Sequence, residues 1–583
     1  MTQKADLEQW FSEDNTAPLP ALDTMAQKVE RAASRIRFPC KKEELAEAIQ
    51  EAVDDMRQPE LLRKKLIIRS FFEPDKREIH ESLDQIADYL PGLLCEYSDL
   101  FAVISQPAKG TRAAAVAGGD FLAGAKRIAS CYKKEILPQL LLEKDLIASH
   151  LRRLDEISLS CGRPGAVKGE ARHMLQSLSR ERRMMAYRSL AGRMARYRNE
   201  AEKQFVELHQ VRRDMAGQAG FKTYFDYAMT RSGLTEETRA RVTTFRQLVQ
   251  EHLAPLAFPI RTGQWRRLAI TDPKPWDVMY TASFGLPVID LAAYPLEKTY
   301  LKALSYVFTD KVPLFESMME AGTLSFQVTG GPREGAASFD FCERDAQEGV
   351  LSAYFPDLDQ SCLLLPHMPQ EWFASAVFTE TGSLLLEQSA GQQLPCPLPM
   401  AETRLVTGVA RYSMSFLSQR IWSLFYGNMA RYACEYNLTE MALDLSLYCA
   451  LDEMEEFLCR ARVTNLDVFR HAWGEIARRY HLPGTADELP ALIPTDDLWL
   501  YSPSLWGHPL TGIFRALVTV TVLGTLPLGR HYQILETCFA KLLKNHEQAS
   551  DPFSRLSLAG YPPPYEEETV LRAKFAIVDY LGL

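Results

Sequence analysis

Helical periodicity runs through most of the chain and is interrupted by one β-rich stretch. Apolar residues recur three and four positions apart over residues 20–105 and 121–256, and again from 370 to the end. Between 322 and 365, β-branched and aromatic residues alternate with turn signals, which predicts a small sheet of two to four short strands. The pattern therefore predicts a mainly α protein whose small β insertion leads directly into a helix over residues 371–390.

Two stretches lack the helical pattern. Residues 108–120 are small and rich in glycine, which predicts a loop, and residues 257–300, rich in Pro, Trp and Tyr, predict irregular structure. We expect an N-terminal helical region over residues 1–120, a helical lobe over 121–320 and a further lobe over 321–583.

Charge and cysteine usage limit the possible partners and compartments. The 583 residues carry a formal net charge of −9, which argues against nucleic acid or an anionic membrane as the main partner. Eleven cysteines without a C-x-x-C pair favour reduced thiols in a cytoplasmic protein. No secretory signal is expected at the N-terminus. The longest apolar run, residues 516–528, is interrupted by Gly524 and Pro527 and predicts a core helix rather than a membrane span.

The predicted helix 371–390 has the frame of a zinc-peptidase helix. Thr379, Glu380, Gly382 and Ser383 occupy positions that read H-E-x-G-H in gluzincin peptidases. In that motif two imidazoles one helical turn apart bind one metal ion, and the Glu beside them is the general base. Here hydroxyl residues stand at both imidazole positions, and hydroxyl groups are poor zinc ligands.

An ordinary buried helix is the alternative interpretation of this segment. Under it, Glu380 is a helix carboxylate paired with a neighbouring Arg or Lys. Gly382 needs a reason in either case, because a glycine inside a helix costs about 1 kcal/mol relative to alanine. We expect that another backbone approaches it closely.

Several strings, in order, resemble the oligoendopeptidase F branch of the thimet-oligopeptidase-like zinc peptidases. They cover about 190–530 and include RRDMA with GFKTYFDY (212–227), PWDVMY (275–280), the stretch 331–342, and S-M-S with a downstream F-Y-G (413–427). The resemblance implies a mainly α, bilobed thimet-oligopeptidase-like fold with a deep substrate cleft and the small β-sheet insertion at about 322–365. It also implies zinc peptidase chemistry in members that keep the metal ligands.

This chain departs from the family pattern at further site positions. The third zinc ligand of the family falls on Leu417, or on Ser415 if Gly427 anchors the alignment. In active members, a later segment supplies a His and Tyr residues that bind substrate and stabilise the oxyanion. The His position is Ser504 and the Tyr positions are Thr511 and Arg515, whereas Tyr501 or His508 could replace them only with a register shift.

The loss of all three ligand positions predicts an inactive homologue that holds no metal or other cofactor. Without zinc, no activated water stands beside Glu380 to be deprotonated. We therefore expect a pseudo-peptidase that binds a peptide or protein partner in its cleft, as a scaffold or regulator. The predicted ligand-binding residues are Arg333, Ala336, Cys342, Glu380, Tyr501 and His508.

Two other functions stay open at this point. The chain could be an active metallo-oligopeptidase, or another cleft-based enzyme, that uses ligands the pattern does not reveal. It could also be a structural subunit of a larger complex. The sequence leaves the oligomeric state and the identity of the partner open.

Overall fold

The computed structural model describes most of the chain. The described residues are 19–37, 40–73, 76–159, 174–282, 284–328, 351–355, 360–390, 401–484, 495–507, 509–526, 532–544 and 551–583.

Helices dominate the part of the chain before the sheet. They are α1 (Leu22–Arg37), α2 (Lys42–Phe72), α3 (Arg77–Ile104), α4 (Pro107–Ala117), α5 (Gly119–Cys131), α6 (Leu137–Leu159), α7 (Arg180–Ala219), α8 (Tyr224–Ser232), α9 (Glu236–His252), α10 (Ala257–Arg267), α11 (Pro275–Val278), α12 (Leu296–Val307) and α13 (Val312–Glu320).

The sheet follows, and helices then resume to the end. The strands are β1 (Leu324–Val328), β2 (Leu351–Phe355) and β3 (Gln360–Met368). The later helices are α14 (Phe373–Ala390), α15 (Thr403–Ser418), α16 (Ser423–Tyr426), α17 (Ala430–Arg460), α18 (Leu466–Arg479), α19 (Pro503–Trp506), α20 (Ile513–Thr525), α21 (Gln533–Lys544), α22 (Pro552–Ala559) and α23 (Glu567–Leu581). The prediction of a mainly α fold with one small sheet is confirmed.

The two stretches predicted as non-helical contain helices. The prediction of a loop over residues 108–120 is wrong, because helices α4 and α5 occupy them. Only Gly118, at φ 89°, separates the two helices. The alanine run favours helix, and Pro107 is tolerated in the first turn because its missing N–H would have no partner there. Helix α10 likewise occupies the beginning of the stretch 257–300.

The sheet is buried on both faces, as its apolar run Cys362–Leu365 suggests. Strand β3 lies in the middle, parallel to β1 and antiparallel to β2. Cys362 and Leu364 point to one face and contact a cluster that includes Ile68 of α2. Leu363 and Leu365 point to the other face and join the main core. The N-terminal helix α2 therefore covers the outer face of the sheet.

One hydrophobic cluster connects the helices of the whole molecule. Its buried side chains extend from Met25 in α1 to Ile577 in α23. Every residue of helix α20 except Arg515 is buried, which confirms the prediction of a core helix in the described part of the run 516–528. No helix among the described residues combines the length and apolar character needed to cross a membrane. The predicted divisions near residues 120 and 320 stay predictions.

Helices α14 and α15 touch at Gly382. A Cβ placed on Gly382 would lie 2.4 Å from the carbonyl oxygen of Ala410 and 3.0 Å from the Cα of Arg411. Real Cβ atoms are not found so close to a backbone oxygen, so only glycine permits this approach. The expectation that another backbone approaches Gly382 is confirmed.

Gly382→Ala is expected to lower the free energy of unfolding by about 1–3 kcal/mol, because the added methyl group forces α14 and α15 apart. Gly474→Ala in α18 is the matched control, since nothing lies within 4 Å of its added Cβ. It is expected to raise stability by up to about 1 kcal/mol through helix propensity. Thermal denaturation of both variants checks the pair, and equal midpoints would contradict the contact described above.

Candidate functional site

Glu380 lies in the middle of α14, and both oxygens of its buried carboxylate have partners. The Ser352 hydroxyl donates a hydrogen bond of 2.7 Å to Oε2. The Arg411 guanidinium donates from Nη2 to Oε1 and forms an ion pair with it. The alternative interpretation of Glu380, a helix carboxylate paired with an arginine, is confirmed.

Three elements meet at this carboxylate. Ser352 comes from β2, Glu380 from α14 and Arg411 from α15. The backbone of residues 410–411 lies against Gly382 of α14, two residues after Glu380. The close helix contact and the ion pair therefore belong to one arrangement.

The contacts between α14 and α15 run in antiparallel order. Ser375 Oγ lies 3.2 Å from Ser415 Oγ, whereas Glu380, later in α14, meets Arg411, earlier in α15. By this register the residues opposite Thr379 and Ser383 are those near 408–412. Leu417 is buried in the main core, and a third-ligand position at Leu417 or Ser415 stays a prediction.

The zinc ion that the resemblance implies does not fit these side chains. Thr379 and Ser383 are buried one helical turn apart on α14, but both offer hydroxyl groups. The nearby carboxylate, Glu380, is already held by a hydroxyl and a guanidinium. Among the described residues, no group of three His, Cys, Asp or Glu side chains is arranged to hold a metal ion.

A second carboxylate of α14 also contacts β2. The backbone N–H of Tyr354 donates a 3.2 Å hydrogen bond to Glu387 Oε2, and Lys64 Nζ of α2 lies 3.9 Å from the same oxygen. Burial raises the pKa of Glu387, an effect that Lys64 and the Tyr354 N–H oppose. Two carboxylates seven residues apart on α14 thus hold alternate residues of one strand.

The predicted substrate-binding positions have other partners. Ser504 Oγ lies 3.0 Å from Ser502 Oγ, and Thr511 Oγ1 accepts a 3.1 Å hydrogen bond from Arg404. Arg515 donates a 3.1 Å hydrogen bond to the Tyr448 hydroxyl, with its guanidinium 5.1 Å from the ring centre.

Tyr501 is buried, and its hydroxyl donates to the carbonyl of Met194 in α7 at 3.0 Å. His508, Arg333, Ala336 and Cys342 lie outside the described residues. A ligand-binding role for these four residues and for Tyr501 stays a prediction.

A buried arginine fixes the segment that contains these positions. Arg212 of α7 donates to the carbonyls of residues 505–507 at 2.6–3.1 Å. Its own charge is balanced by Glu143 at 2.8 Å, which also pairs with Arg231 at 2.7 Å. Burial opposes ionisation of Glu143, yet Arg231 and Arg212 hold the pKa of Glu143 at about 2.

A buried carboxyl holds the same segment from another side. The backbone N–H of Leu510, which has φ 61°, donates to Glu455 of α17. Burial, reinforced by the nearby charge of Asp452, raises the pKa of Glu455 to about 8. Sequence reasoning missed Glu455, because nothing local marks this glutamate on α17 as buried.

Comparison with known proteins finds solved peptidase structures of similar fold. No protein-family model matches the chain, and no curated protein matches it either. A structure of PZ peptidase A with an inhibitor is similar, with a TM-score of 0.82 at 18% identity over 98% of this chain and 99% of the other. The chain has the fold of these peptidases.

Two oligoendopeptidase F structures give the same result. One has a TM-score of 0.80 at 17% identity, and the match covers 98% of each chain. Another, from Bacillus anthracis, has a TM-score of 0.78 at 17% identity with 97% coverage of each chain. The oligopeptidase fold thus extends well beyond residues 190–530, where the sequence strings were found.

Arg411→Met is expected to lower the free energy of unfolding by about 2–4 kcal/mol, because it leaves the Glu380 carboxylate buried without its cation. The double variant Glu380→Gln with Arg411→Met should lose less than the sum of the two single losses. Arg420→Met is the control, since its ion pair with Glu536 spans 3.6 Å at the surface and is worth at most about 1 kcal/mol. Denaturation of wild type, Glu380→Gln, Arg411→Met and the double variant measures the coupling, and strict additivity would argue against the pair.

Glu455→Gln is expected to remove a pH-dependent loss of stability. The unfolded carboxyl ionises above its ordinary pKa of 4.5, whereas the folded one keeps its proton up to a pKa of about 8. The folded state therefore binds the extra proton, and stability falls as pH rises through that window. The variant should have the higher melting temperature at pH 8.5, with the gap closing toward pH 5.

Glu453→Gln on the same helix is the control for this experiment. Its carboxylate accepts hydrogen bonds from Arg479 and from the Tyr480 hydroxyl, so the substitution should lower the melting temperature instead. A gap between wild type and Glu455→Gln that does not change with pH would rule out a neutral folded carboxyl.

Proposed function

We propose that this chain is a catalytically inactive, oligoendopeptidase F-like pseudo-peptidase that binds a peptide or protein partner in its cleft. It would act there as a scaffold or regulator rather than as a hydrolase. The observation that carries the proposal is the state of Glu380, whose two carboxylate oxygens are held by Ser352 and Arg411.

The loss of activity follows from what a general base needs. Such a group must lie within hydrogen-bond reach of the water whose proton it removes, with an oxygen ready to accept that proton. In this chain Arg411 and Ser352 occupy the two carboxylate oxygens of Glu380. Thr379 and Ser383 offer hydroxyl groups where a zinc site of this kind needs imidazoles, and bulk water has a pKa of about 15.7 without such a metal.

The binding function follows from the retained architecture. The peptidase fold is kept over nearly the whole chain. Helix α14, which carries the zinc-motif positions and is called the motif helix below, has hydroxyl residues in place of the ligands. A cleft built for an extended peptide can recognise its backbone through hydrogen bonds even where no bond is cleaved. Among the predicted ligand-binding residues, Glu380 and Tyr501 fall in the described part of the chain, and both are buried.

A cytoplasmic location and the absence of nucleic acid or membrane partners complete the proposal. The net charge of −9 disfavours polyanionic partners. The eight described cysteines are free and buried, as in proteins of reducing compartments. The alternative of an enzyme with unrecognised ligands is kept as an outcome of the test.

The purified protein is expected to contain far less than one zinc per chain and to leave quenched fluorescent peptides intact. Elemental analysis and a peptide-library cleavage assay measure both quantities. Glu380→Gln is the matched control, because cleavage by a contaminant persists in this variant, whereas cleavage by this chain would not.

Binding is measured in parallel by fluorescence polarisation with a labelled library of extended peptides. Saturable binding at micromolar concentration without cleavage is expected. Stoichiometric zinc, with chelator-sensitive cleavage that Glu380→Gln abolishes, would establish the enzyme alternative. No binding to any peptide, together with a stable assembly in native mass spectrometry, would favour the structural-subunit alternative.

A further inference from the structure

The charge balance at the motif helix differs from that of a metal site. In a zinc peptidase helix, a dication lies beside the general-base glutamate and is held by neutral imidazoles. Here the positive charge beside Glu380 belongs to the chain itself and comes from Arg411 of α15.

The guanidinium is positioned by the tightest backbone contact of the site. The Cα of Arg411 lies next to Gly382. In the sequence of α14, Gly382 lies between Glu380 and Ser383, which is the second imidazole-equivalent position. The Arg411 side chain reaches Glu380, so the positive charge lies beside the carboxylate of the motif.

The ion pair also connects elements in the way that a metal ion connects its ligands. Arg411 belongs to α15, Glu380 to α14 and Ser352 to β2, and the three side chains form one continuous set of hydrogen bonds. The arginine is therefore both the counter-charge of a buried carboxylate and a link between two helices and the sheet.

We propose that Arg411 is an internal cation that takes over the neutralising and cross-linking role of a metal ion at this site and keeps divalent cations out of it. The inference rests on the proposed function, because it assumes that Glu380 no longer acts as a base. Its physical reason is simple. A divalent cation beside Glu380 would meet the guanidinium at short distance in a poorly solvated place, where like charges repel strongly.

The test restores the two imidazoles and then removes the arginine. The variant T379H/S383H places two histidines one turn apart on α14, which is the ligand spacing of the motif. The variant T379H/S383H/R411M has the same imidazoles without the guanidinium. Isothermal titration with ZnCl₂ gives the affinity of each protein, and the melting temperature with and without zinc gives a second readout.

We expect the triple variant to bind about one zinc ion at least tenfold more tightly than T379H/S383H, with a zinc-dependent rise in melting temperature. T379H/S383H/R420M is the matched control. It removes an arginine of the same region that pairs with Glu536 at the surface, and it should bind zinc as weakly as T379H/S383H. If R411M prevents folding, R411Q replaces it, because glutamine keeps a hydrogen bond to Glu380 without the charge.

Equal zinc affinity in T379H/S383H and T379H/S383H/R411M, or in T379H/S383H and its R411Q derivative, would overturn the inference. That result would leave the proposed function intact. Conversely, stoichiometric zinc in the unmodified protein would overturn the proposed function itself, so the two failures are distinguished by which protein binds the metal.

Discussion

The close approach of α14 and α15 at Gly382 is the constraint on which the rest of the site depends. Helix pairs usually keep their axes 8–10 Å apart because side chains fill the space between them. At Gly382 the backbone of residues 410–411 fills that space instead. This contact sets the register of the two helices, and the register determines that Arg411, rather than another residue of α15, faces Glu380.

A buried carboxylate that stays ionised needs a cation or several hydrogen bonds beside it, and Glu380 receives both from within the chain. Removing a carboxylate from water costs several kcal/mol unless a cation or several hydrogen bonds compensate. A metal ion can provide this compensation, and so can a guanidinium with a hydroxyl. In this chain Arg411 and Ser352 provide the compensation for Glu380.

The sequence predicts those features that depend on local periodicity, and one that depends on backbone geometry. The helices, the small sheet and the core helix α20 follow from spacing and composition. The close backbone contact at Gly382 could be anticipated, because few physical causes favour a glycine inside a helix. Arg411 and Ser352 could not be found in this way, since they lie 31 and 28 residues from Glu380 and no local pattern joins them.

The errors have physical causes as well. In α4 the high helix propensity of the alanines outweighs the effect of the glycines, which had suggested a loop.

The segment near residues 501–515 is held by contacts that do not involve the motif helix. Arg212 holds three of its carbonyls and is itself neutralised by Glu143, while Glu455 holds the N–H of Leu510. None of these contacts involves Thr379, Glu380 or Ser383. The contacts that fix this segment therefore lie apart from the motif helix, and substitutions at Thr379 or Ser383 are expected to leave the segment in place. Two separate sets of contacts thus hold the motif helix and this segment within a fold similar to that of solved peptidases.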